Sequence, residues 1–351
     1  MSSRRSDRLS KLKFCGPGGT LPYTLLSVSS GALLPFISTY DARSLRATCR
    51  EALHAVSQFP FEEPGYWSEA DHTWHAGTPV GVEGVPMSTC LSRWRACFPN
   101  ARGLNLSSAH FEESDVATYL PGIRSLDMSG CLHVRDSYFA HLGSLERLIM
   151  NGLDQLCLTD AFSSHLPQLT FLVAGGCPQL TSLAFKPLRR LQTLVLWQNS
   201  EEHFGDAALA PLAGSIRTLV LGNMDQLSIT DAGFAHLAGV QRLLMWGCSQ
   251  PTLTDAAFLQ LGGLHTLDIS GCSQGTFTDE LFAPLGAALR DLTMDGCTQF
   301  TDEVFKHLGS LRSLSICDCS QLTGSGLHHL TRLQALQLKG CSPALRRAAK
   351  A

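Results

Sequence analysis

The sequence predicts an α/β fold built from one supersecondary unit that recurs along most of the chain. The motif L-x-x-L-x-L appears ten times, with 22 to 25 residues between successive starts. Each copy is followed by a turn and then by apolar residues at helical spacing, so strand and helix alternate within one period. Such a period indicates stacked units that bury an apolar face only against their neighbours. The motifs begin at Ile123, Leu145, Leu169, Leu191, Ile216, Val240, Leu264, Leu289, Leu311 and Leu333.

Each unit divides into a strand, a turn and a helix. The strand is predicted where apolar residues alternate with others, as in Leu267, Asp268 and Ile269. A turn such as "SGCSQ" follows it. The helix is predicted to begin at a Thr-Asp pair such as Thr301 and Asp302, because threonine caps helices and aspartate suits the positive end of the helix dipole.

One turn position holds a column of cysteines, five residues after the second motif leucine. In three other units Leu153, Asn199 and Met224 stand there. A reactive or metal-bound thiol would not tolerate these replacements, so the column is predicted to pack in the core. The chain has thirteen cysteines and no short disulfide framework, which favours a reducing compartment. The column comprises Cys131, Cys177, Cys248, Cys272, Cys297, Cys319 and Cys341.

The repeated pattern L-x-x-L-x-L-x-G-C-x-x-L-T-D-x-x-L closely resembles the cysteine-containing leucine-rich repeats. The resemblance covers residues 99–342. It implies a curved horseshoe solenoid, with parallel strands on the concave face and helices on the convex face. About 4.8 Å per strand would make the concave surface roughly 50 Å long, which suits recognition of a macromolecule.

The N-terminal part is predicted to contain a basic flexible tail (1–20), with a mitochondrial presequence as the alternative, and a small apolar helical segment (21–58). Within that segment, "ISTYDARSLRATCR" resembles the second half of an F-box, although Ala42 and Thr48 depart from the family pattern. The resemblance implies that a Skp-type adaptor would contact Leu33, Leu34, Ile37, Leu45 and Cys49. The alternative is a helical cap that seals the first repeat.

Catalytic and metal-binding motifs are not evident. The connector (59–98) offers His72, His75, Cys90 and Cys97, but their spacing is not that of a standard zinc site. Histidines at one repeat position are explained by the helix C-terminus, and aspartates at another by helix starts. We therefore expect no cofactor, no metal and no catalysis by the chain itself.

A basic tail is expected at 343–351.

The net charge and the hydropathy of the chain exclude two further classes of partner, nucleic acids and membranes. A formal net charge of -3 gives no general footprint for nucleic acid, and no apolar run is long enough for a transmembrane helix. We therefore expect neither a nucleic acid nor a membrane as partner, and a cytoplasmic or nuclear location.

The predicted partner site lies on the concave face, where strand residues alternate with the motif leucines. Aliphatic residues there would be exposed and flanked by aromatic rings, with an acidic rim toward the C-terminus that favours a basic partner. The alternative is that the aliphatic residues reflect strand propensity alone. The predicted site comprises Phe171, Val173, Val195, Trp197, Val220, Leu244, Trp246, Asp268, Asp291 and Asp295.

Taken together, the sequence resembles F-box/leucine-rich-repeat proteins. This resemblance implies a non-catalytic substrate-recognition subunit of a Skp–cullin–F-box ubiquitin ligase, with a Skp-type adaptor, a cullin complex and a protein substrate as partners. A protein-interaction scaffold without a ligase role is the alternative. An enzyme with a metal in the connector is a third, more remote hypothesis.

Overall fold

The computed structural model describes residues 65–68, 73–76, 85–153, 157–197, 204–223 and 228–350, with the backbone alone for the first two ranges. The predicted tail, the F-box-like segment and most of the connector therefore lie outside the described residues. The chain divides into two compact units, Met1–Cys131 and Leu132–Ala351.

The repeats form an open sheet of eleven parallel strands, and strand order follows chain order. This confirms the predicted stacking of strand-turn-helix units. Neighbouring strands are in register at the motif leucine, so that Leu267 lies between Leu243 and Leu292. The strands are β3 (Gly103–Asn105), β4 (Ser125–Asp127), β5 (Arg147–Ile149), β6 (Phe171–Val173), β7 (Thr193–Trp197), β8 (Thr218–Gly222), β9 (Arg242–Leu244), β10 (Thr266–Asp268), β11 (Asp291–Thr293), β12 (Ser313–Ser315) and β13 (Ala335–Gln337).

The helices of the repeats begin where the sequence analysis expects, but they are short and most take the tighter 3-10 form. A unit of 22 to 25 residues leaves few positions between its turn and the next strand. The α-helices are α1 (Met87–Cys97), α2 (Glu113–Tyr119), α3 (Asp136–Phe139), α4 (Asp206–Leu209), α5 (Asp231–Phe234) and α6 (Pro343–Ala348). The 3-10 helices span Asp160–His165, Ser182–Phe185, Ala210–Leu212, Ala235–Leu237, Asp255–Phe258, Asp279–Phe282, Asp302–His307 and Leu327–His329.

The first unit combines β3 and β4 with the two longer helices α1 and α2. Two further strands, β1 (Gly65–Ser68) and β2 (Thr73–Ala76), pair with each other in antiparallel orientation. Helix α1 lies in the segment predicted as a connector. On it, the guanidinium of Arg95 donates to the carbonyls of Tyr119, at the end of α2, and Ala101. These bonds tie α1 to the chain on both sides of β3.

Threonine caps six helices of the second unit, as predicted, whereas Arg135 and Gly205 precede α3 and α4 without a side-chain cap. The hydroxyl of Thr254, for example, accepts the N–H of Ala256 at 3.1 Å. The aspartate that follows the capping threonine complements the helix dipole and also accepts hydrogen bonds from the next repeat. Asp255 accepts both the backbone N–H (2.9 Å) and the hydroxyl (2.6 Å) of Thr278 in the next repeat. Equivalent bonds recur between most successive repeats, so the Thr-Asp column links these repeats to their neighbours. Where Ser182 and Gly205 interrupt the column, the N–H of Gly205 donates to the hydroxyl of Ser182.

The core consists of columns of leucine and phenylalanine that repeat with the same period. Leu267 and Leu243 are fully buried, and the rings of Phe258 and Phe277 meet edge to face with their centroids 5.4 Å apart. Truncation of one such leucine to alanine removes about 2–5 kcal/mol of stability in well-packed cores. Because every repeat shares these columns with two neighbours, the repeats stabilise one another.

The cysteine column packs in this core, in agreement with the prediction for it. Each thiol also donates to a carbonyl of the preceding repeat, as Cys272 does to Met245 at 2.8 Å and Cys341 to Ile316 at 2.8 Å. Burial raises the pKa of Cys297 to about 12 and that of Cys319 to about 11. Both thiols are therefore protonated near neutral pH and are poor nucleophiles and ligands.

Helix α6 follows the last repeat, within the segment predicted as a basic tail. The hydroxyl of Ser342 caps it by accepting the N–H of Leu345 at 3.1 Å, and the side chain of Leu345 is fully buried. Residues 343–348 of that segment are thus helical. Among the described residues, no helix combines the length and apolar character needed to cross a membrane.

Candidate protein-binding face

The strands of the second unit have two sides. The motif leucines point into the core, and the residues that alternate with them point to the opposite side, which we call the sheet face. Three columns of side chains run along this face, one residue per repeat in each column. From β6 to β12, the first column is Phe171, Thr193, Thr218, Arg242, Thr266, Asp291 and Ser313; the middle column is Val173, Val195, Val220, Leu244, Asp268, Thr293 and Ser315; the third column is Gly175, Trp197, Gly222, Trp246, Ser270, Asp295 and Cys317.

The third column lies at or just beyond the strand ends, yet it keeps the register of the sheet. Trp197 stands directly opposite Gly222. The carbonyl of Ser270 accepts the N–H of Gly247, and the carbonyl of Asp295 accepts the N–H of Gly271, both at 2.8 Å. The third column is therefore spaced like the strands, about 4.8 Å per repeat.

The middle column corrects one prediction. The sequence analysis expects Val173, Val195, Val220 and Leu244 to form an exposed aliphatic patch, but all four are buried, with exposures of no more than 2%. Branched side chains that recur about every 4.8 Å on parallel strands contact one another from repeat to repeat. These residues therefore do not form the accessible surface of the sheet face.

Phe171 is also more buried than expected, with 9% of its surface exposed. The guanidinium carbon of Arg147, in the preceding repeat, lies 4.1 Å from the centre of the Phe171 ring. A cation stacked on an aromatic face is attracted by the negative charge of the ring face and also covers it. Phe171 is thus partnered within the chain.

The two tryptophans of the third column are half-buried, and each lies against a glycine of the preceding repeat. A β-carbon at Gly222 would lie 2.5 Å from Cζ2 of Trp246 and 2.6 Å from its Cε2. A β-carbon at Gly175 would collide with the indole of Trp197 in the same way. The absence of side chains at these two glycines lets the indoles lie along the sheet face.

The acidic residues differ in accessibility. Asp268 is buried, and its Oδ1 accepts the N–H (2.9 Å) and the hydroxyl (2.6 Å) of Ser270. Asp291 is exposed, and Asp295 is half-buried. The Oδ1 of Asp295 accepts the hydroxyl of Ser315 and the N–H of Cys317, both at 2.7 Å, which fixes the orientation of this carboxylate. The predicted acidic rim thus has two accessible carboxylates.

Sequence reasoning missed the two glycines and Arg147 as parts of this face. The available signal was the alternation Gly175, Trp197, Gly222, Trp246 at one position of four consecutive repeats. A single glycine in a strand is weak evidence, but a glycine one repeat before each tryptophan indicates that the ring needs the space.

The metal hypothesis for the connector has no support in the described part of the chain. Within those ranges, no three His, Cys, Asp or Glu side chains are grouped closely enough to hold a metal ion. Cys90 and Cys97 both lie on α1, while His72 and the side chain of His75 lie outside the described residues.

Comparisons with known proteins identify the fold. No protein-family model matches the chain, and no curated protein does. A solved structure of the TLR13–ssRNA13 complex matches with a TM-score of 0.57 and 16% identity, over 82% of this chain and 45% of that one. The Toll–Spatzle complex of Drosophila matches with a TM-score of 0.53 and 16% identity, over 77% of this chain and 37% of that one. The chain has the leucine-rich-repeat fold.

That finding confirms the predicted fold class and the leucine-rich-repeat part of the predicted resemblance. At 16% identity the likeness concerns the fold alone. The chain also spans less than half the length of either neighbour. Neither neighbour bears on the F-box-like segment.

Proposed function

We propose that this chain is a non-catalytic protein-binding receptor and that its partner contacts the sheet face of the second unit. The observation that carries the proposal is the pair of half-buried tryptophans Trp197 and Trp246 on the sheet face. Two repeats after Trp246 the same face carries the accessible carboxylates Asp291 and Asp295. Tryptophan is enriched among the residues that dominate protein interfaces, because a large rigid ring binds at little cost in conformational entropy.

Charge favours a protein with basic residues over a nucleic acid. The chain has a net charge of -3, and the accessible acidic groups of the sheet face would repel phosphates. The acidic groups also lie on the same face as the two tryptophans, so a partner with an apolar segment and a nearby arginine or lysine would complement both. One fold neighbour was solved in complex with Spatzle and the other in complex with ssRNA13. The fold alone therefore does not indicate whether the partner is a protein or a nucleic acid.

The finer proposal is that the receptor serves a Skp–cullin–F-box ubiquitin ligase. It rests on the F-box-like residues Ile37, Asp41, Leu45, Cys49 and Arg50, which lie outside the described residues. In this proposal Leu33, Leu34, Ile37, Leu45 and Cys49 contact a Skp-type adaptor, the cullin complex transfers ubiquitin, and the sheet face holds the substrate.

We also propose a cytoplasmic or nuclear location. Every described cysteine is a free thiol, and all seven thiols of the repeat column donate a hydrogen bond that an oxidised cysteine could not make. Such a set of free thiols is typical of a reducing compartment.

The binding face is tested with a double variant of the intact chain. Trp197→Ala with Trp246→Ala is compared with Leu183→Ala, since Leu183 is 65% exposed on a repeat helix. Partners of the wild-type chain are purified by affinity and identified by mass spectrometry, and unfolding midpoints are measured for all three chains. We expect the double variant to lose the specific partner while it stays folded at the assay temperature, with a lower melting temperature because two half-buried rings are removed, and the control to keep the partner. Full capture by the folded double variant would refute the sheet face as the site.

The ligase role needs a separate measurement. Purified full-length chain is mixed with a recombinant Skp-type adaptor, beside an F-box protein known to bind it. Binding by the wild-type chain that is lost in Leu33→Ala with Leu34→Ala would support the adaptor contact. No binding by the wild-type chain, with a working positive control, would leave a protein-binding scaffold without a ligase role.

A further inference from the structure

The strand side of the last described repeat is open. Inner repeats cover the motif leucines of the repeat before them, so that Leu311 and Leu314 are at most 1% exposed. In the last described repeat (333–342), Leu333, Leu336 and Leu338 are half-buried. Because no further repeat follows among the described residues, these three leucines keep part of their apolar surface accessible.

Helix α6 covers the other side of this repeat. A β-carbon at Gly324 would lie 3.1 Å from Cδ1 of Leu345 and 2.7 Å from Cβ of Ala348, both on α6. The hydroxyl of Ser342 also donates to the carbonyl of Leu322 at 2.7 Å. Helix α6 therefore packs beside the turn that precedes the 3-10 helix, and the strand-side leucines stay accessible.

The backbone of β13 is open on the same side. In an inner repeat, the N–H of Met245 donates to the carbonyl of Asp268 in the next repeat at 2.7 Å. Leu338 is the equivalent residue of the last described repeat, and neither its N–H nor that of Gly340 meets an acceptor among the described residues. A strand edge that combines such backbone groups with apolar side chains is a template for pairing with another strand.

The surroundings of this edge are basic, although the chain as a whole has a net charge of -3. Residues 331–350 contain five arginines and lysines and no aspartate or glutamate. Arg332 precedes the strand and Lys339 follows it, so the open edge has a cation at each end. The five exposed cations are Arg332, Lys339, Arg346, Arg347 and Lys350.

We propose that β13 binds an acidic segment of a partner protein, which adds to the sheet as a further strand. Backbone hydrogen bonds would hold the segment, as in other cases of strand addition. Two apolar residues at positions i and i+2 would lie on one side of the added strand and cover Leu336 and Leu338. Acidic residues on both sides of them would meet Arg332 and Lys339.

Charge and burial disfavour a second copy of this chain as the occupant. Two β13 edges would bring five cations from each copy together, and positive charges beside an edge discourage such pairing. Head-to-tail pairing would need an open edge at β3, but Leu104 and Leu106 there are at most 2% exposed. The same cations attract an acidic segment, so the edge selects a partner of opposite charge.

The first test uses the full chain and fluorescently labelled peptides. Asp-Glu-Ser-Leu-Ser-Leu-Ser-Glu-Asp places its two leucines on one side of a strand. Asp-Glu-Ser-Leu-Leu-Ser-Ser-Glu-Asp has the same composition and charge but places them on opposite sides. By anisotropy we expect the first peptide to bind about ten-fold more tightly, because only it buries both leucines. Equal binding of the two peptides, or equal binding of a version with lysine at every acidic position, would overturn the inference.

The second test measures strand addition at the backbone. Amide hydrogen exchange of Leu338 and Gly340, resolved by NMR, should slow about ten-fold or more when the first peptide saturates the chain. Unchanged exchange at saturation would mean that the peptide binds through charge alone, which contradicts strand addition. Slow exchange of both amides without peptide would mean that another part of the chain or a second copy already covers the edge, and this also would overturn the inference.

The third test separates the local cations from net charge. Arg332→Gln with Lys339→Gln should weaken the first peptide about ten-fold. The control, Lys186→Gln with Arg189→Gln, removes two exposed cations from another repeat and should leave the affinity within about two-fold. Thermal unfolding checks that both variants are folded. Equal affinities of the two variants would contradict the role of the cations beside β13.

This inference goes beyond the proposed function, because β13 lies outside the tryptophan-bearing repeats of the sheet face. Trp197→Ala with Trp246→Ala should therefore bind the acidic peptide with wild-type affinity. If that variant loses the cellular partner and the wild-type chain binds neither acidic peptide, the inference fails and the proposed function stands. If it keeps the cellular partner while the peptide results are as expected, the proposed function fails and the inference stands.

Discussion

Two halves of the sheet face use the same backbone in different ways. In the aromatic half, from Phe171 to Trp246, the middle column is aliphatic and at most 2% exposed. In the polar half, from Asp268 to Cys317, the middle column is polar: Asp268 and Ser315 are buried, at 4% and 8% exposure, and Thr293 is half-buried. The core side of the strands is the same in both halves, with leucine in register. The repeat therefore fixes the scaffold, while side chains that point away from the core decide what each half can bind.

The largest difference between the halves should appear when a charge is introduced into the middle column. Val195→Asp places an unpaired carboxylate at a site that is 1% exposed, and we expect it to lower the free energy of unfolding by ~3 kcal/mol or more. Thr293→Asp makes the matching change in the polar half and should lower it by about 1 kcal/mol or less. Urea denaturation of both variants and of the wild-type chain gives the two changes in the free energy of unfolding. Equal losses would mean that the two halves do not differ in burial.

A smaller effect is expected where the glycines support the rings. Gly222→Ala puts a β-carbon 2.5 Å from the ring of Trp246, and overpacking of this kind typically lowers stability by about 1–3 kcal/mol. Gly275→Ala, in the turn between β10 and the helix Asp279–Phe282, meets nothing within 4 Å and should change stability by less than about 1 kcal/mol. Thermal unfolding and tryptophan emission are recorded together. An unshifted emission spectrum in Gly222→Ala would contradict the stacked geometry.

The smallest effect concerns the carboxylates of the polar half. Asp295→Ala removes the acceptor of two hydrogen bonds and should lower the free energy of unfolding by ~1–2 kcal/mol. Asp291→Ala changes an exposed side chain and should stay within about 0.5 kcal/mol. The comparison is made by chemical denaturation at one pH and salt concentration. A larger loss for Asp291→Ala would show that the assignment of the anchored carboxylate is wrong.

Much of the fold could be predicted from the sequence because it depends on a repeated pattern. Three features recur in register: the motif leucines, the threonine caps and the buried cysteine column. Because each feature appears in many repeats, a chance match in one repeat does not change the prediction. The helices were predicted at the right places, but their 3-10 form follows from the short distance to the next strand. The hydrogen bonds that Thr278 donates to Asp255 connect two repeats. They could not be predicted from the repeat period or from the helix propensity of residues within one repeat.

The candidate site was harder to predict. Alternation along a strand correctly placed Val195 and Leu244 on the side away from the core. It could not give their exposure, which is 1% for Val195 and 2% for Leu244, because exposure depends on tertiary packing and alternation does not. Gly175 leaves space for the indole of Trp197, and this role can be inferred only when the two residues of successive repeats are compared. The F-box-like residues stay a prediction, since they lie outside the described residues.

Hydrogen exchange of the full chain, with and without its purified partner, tests the proposed face most directly. Backbone amides of residues 193–197, 242–246 and 291–295 should gain protection in the complex, while those of the 3-10 helices Ser182–Phe185 and Asp255–Phe258 should not. Protection confined to those helices, with the three strand segments unchanged, would show that the partner binds elsewhere.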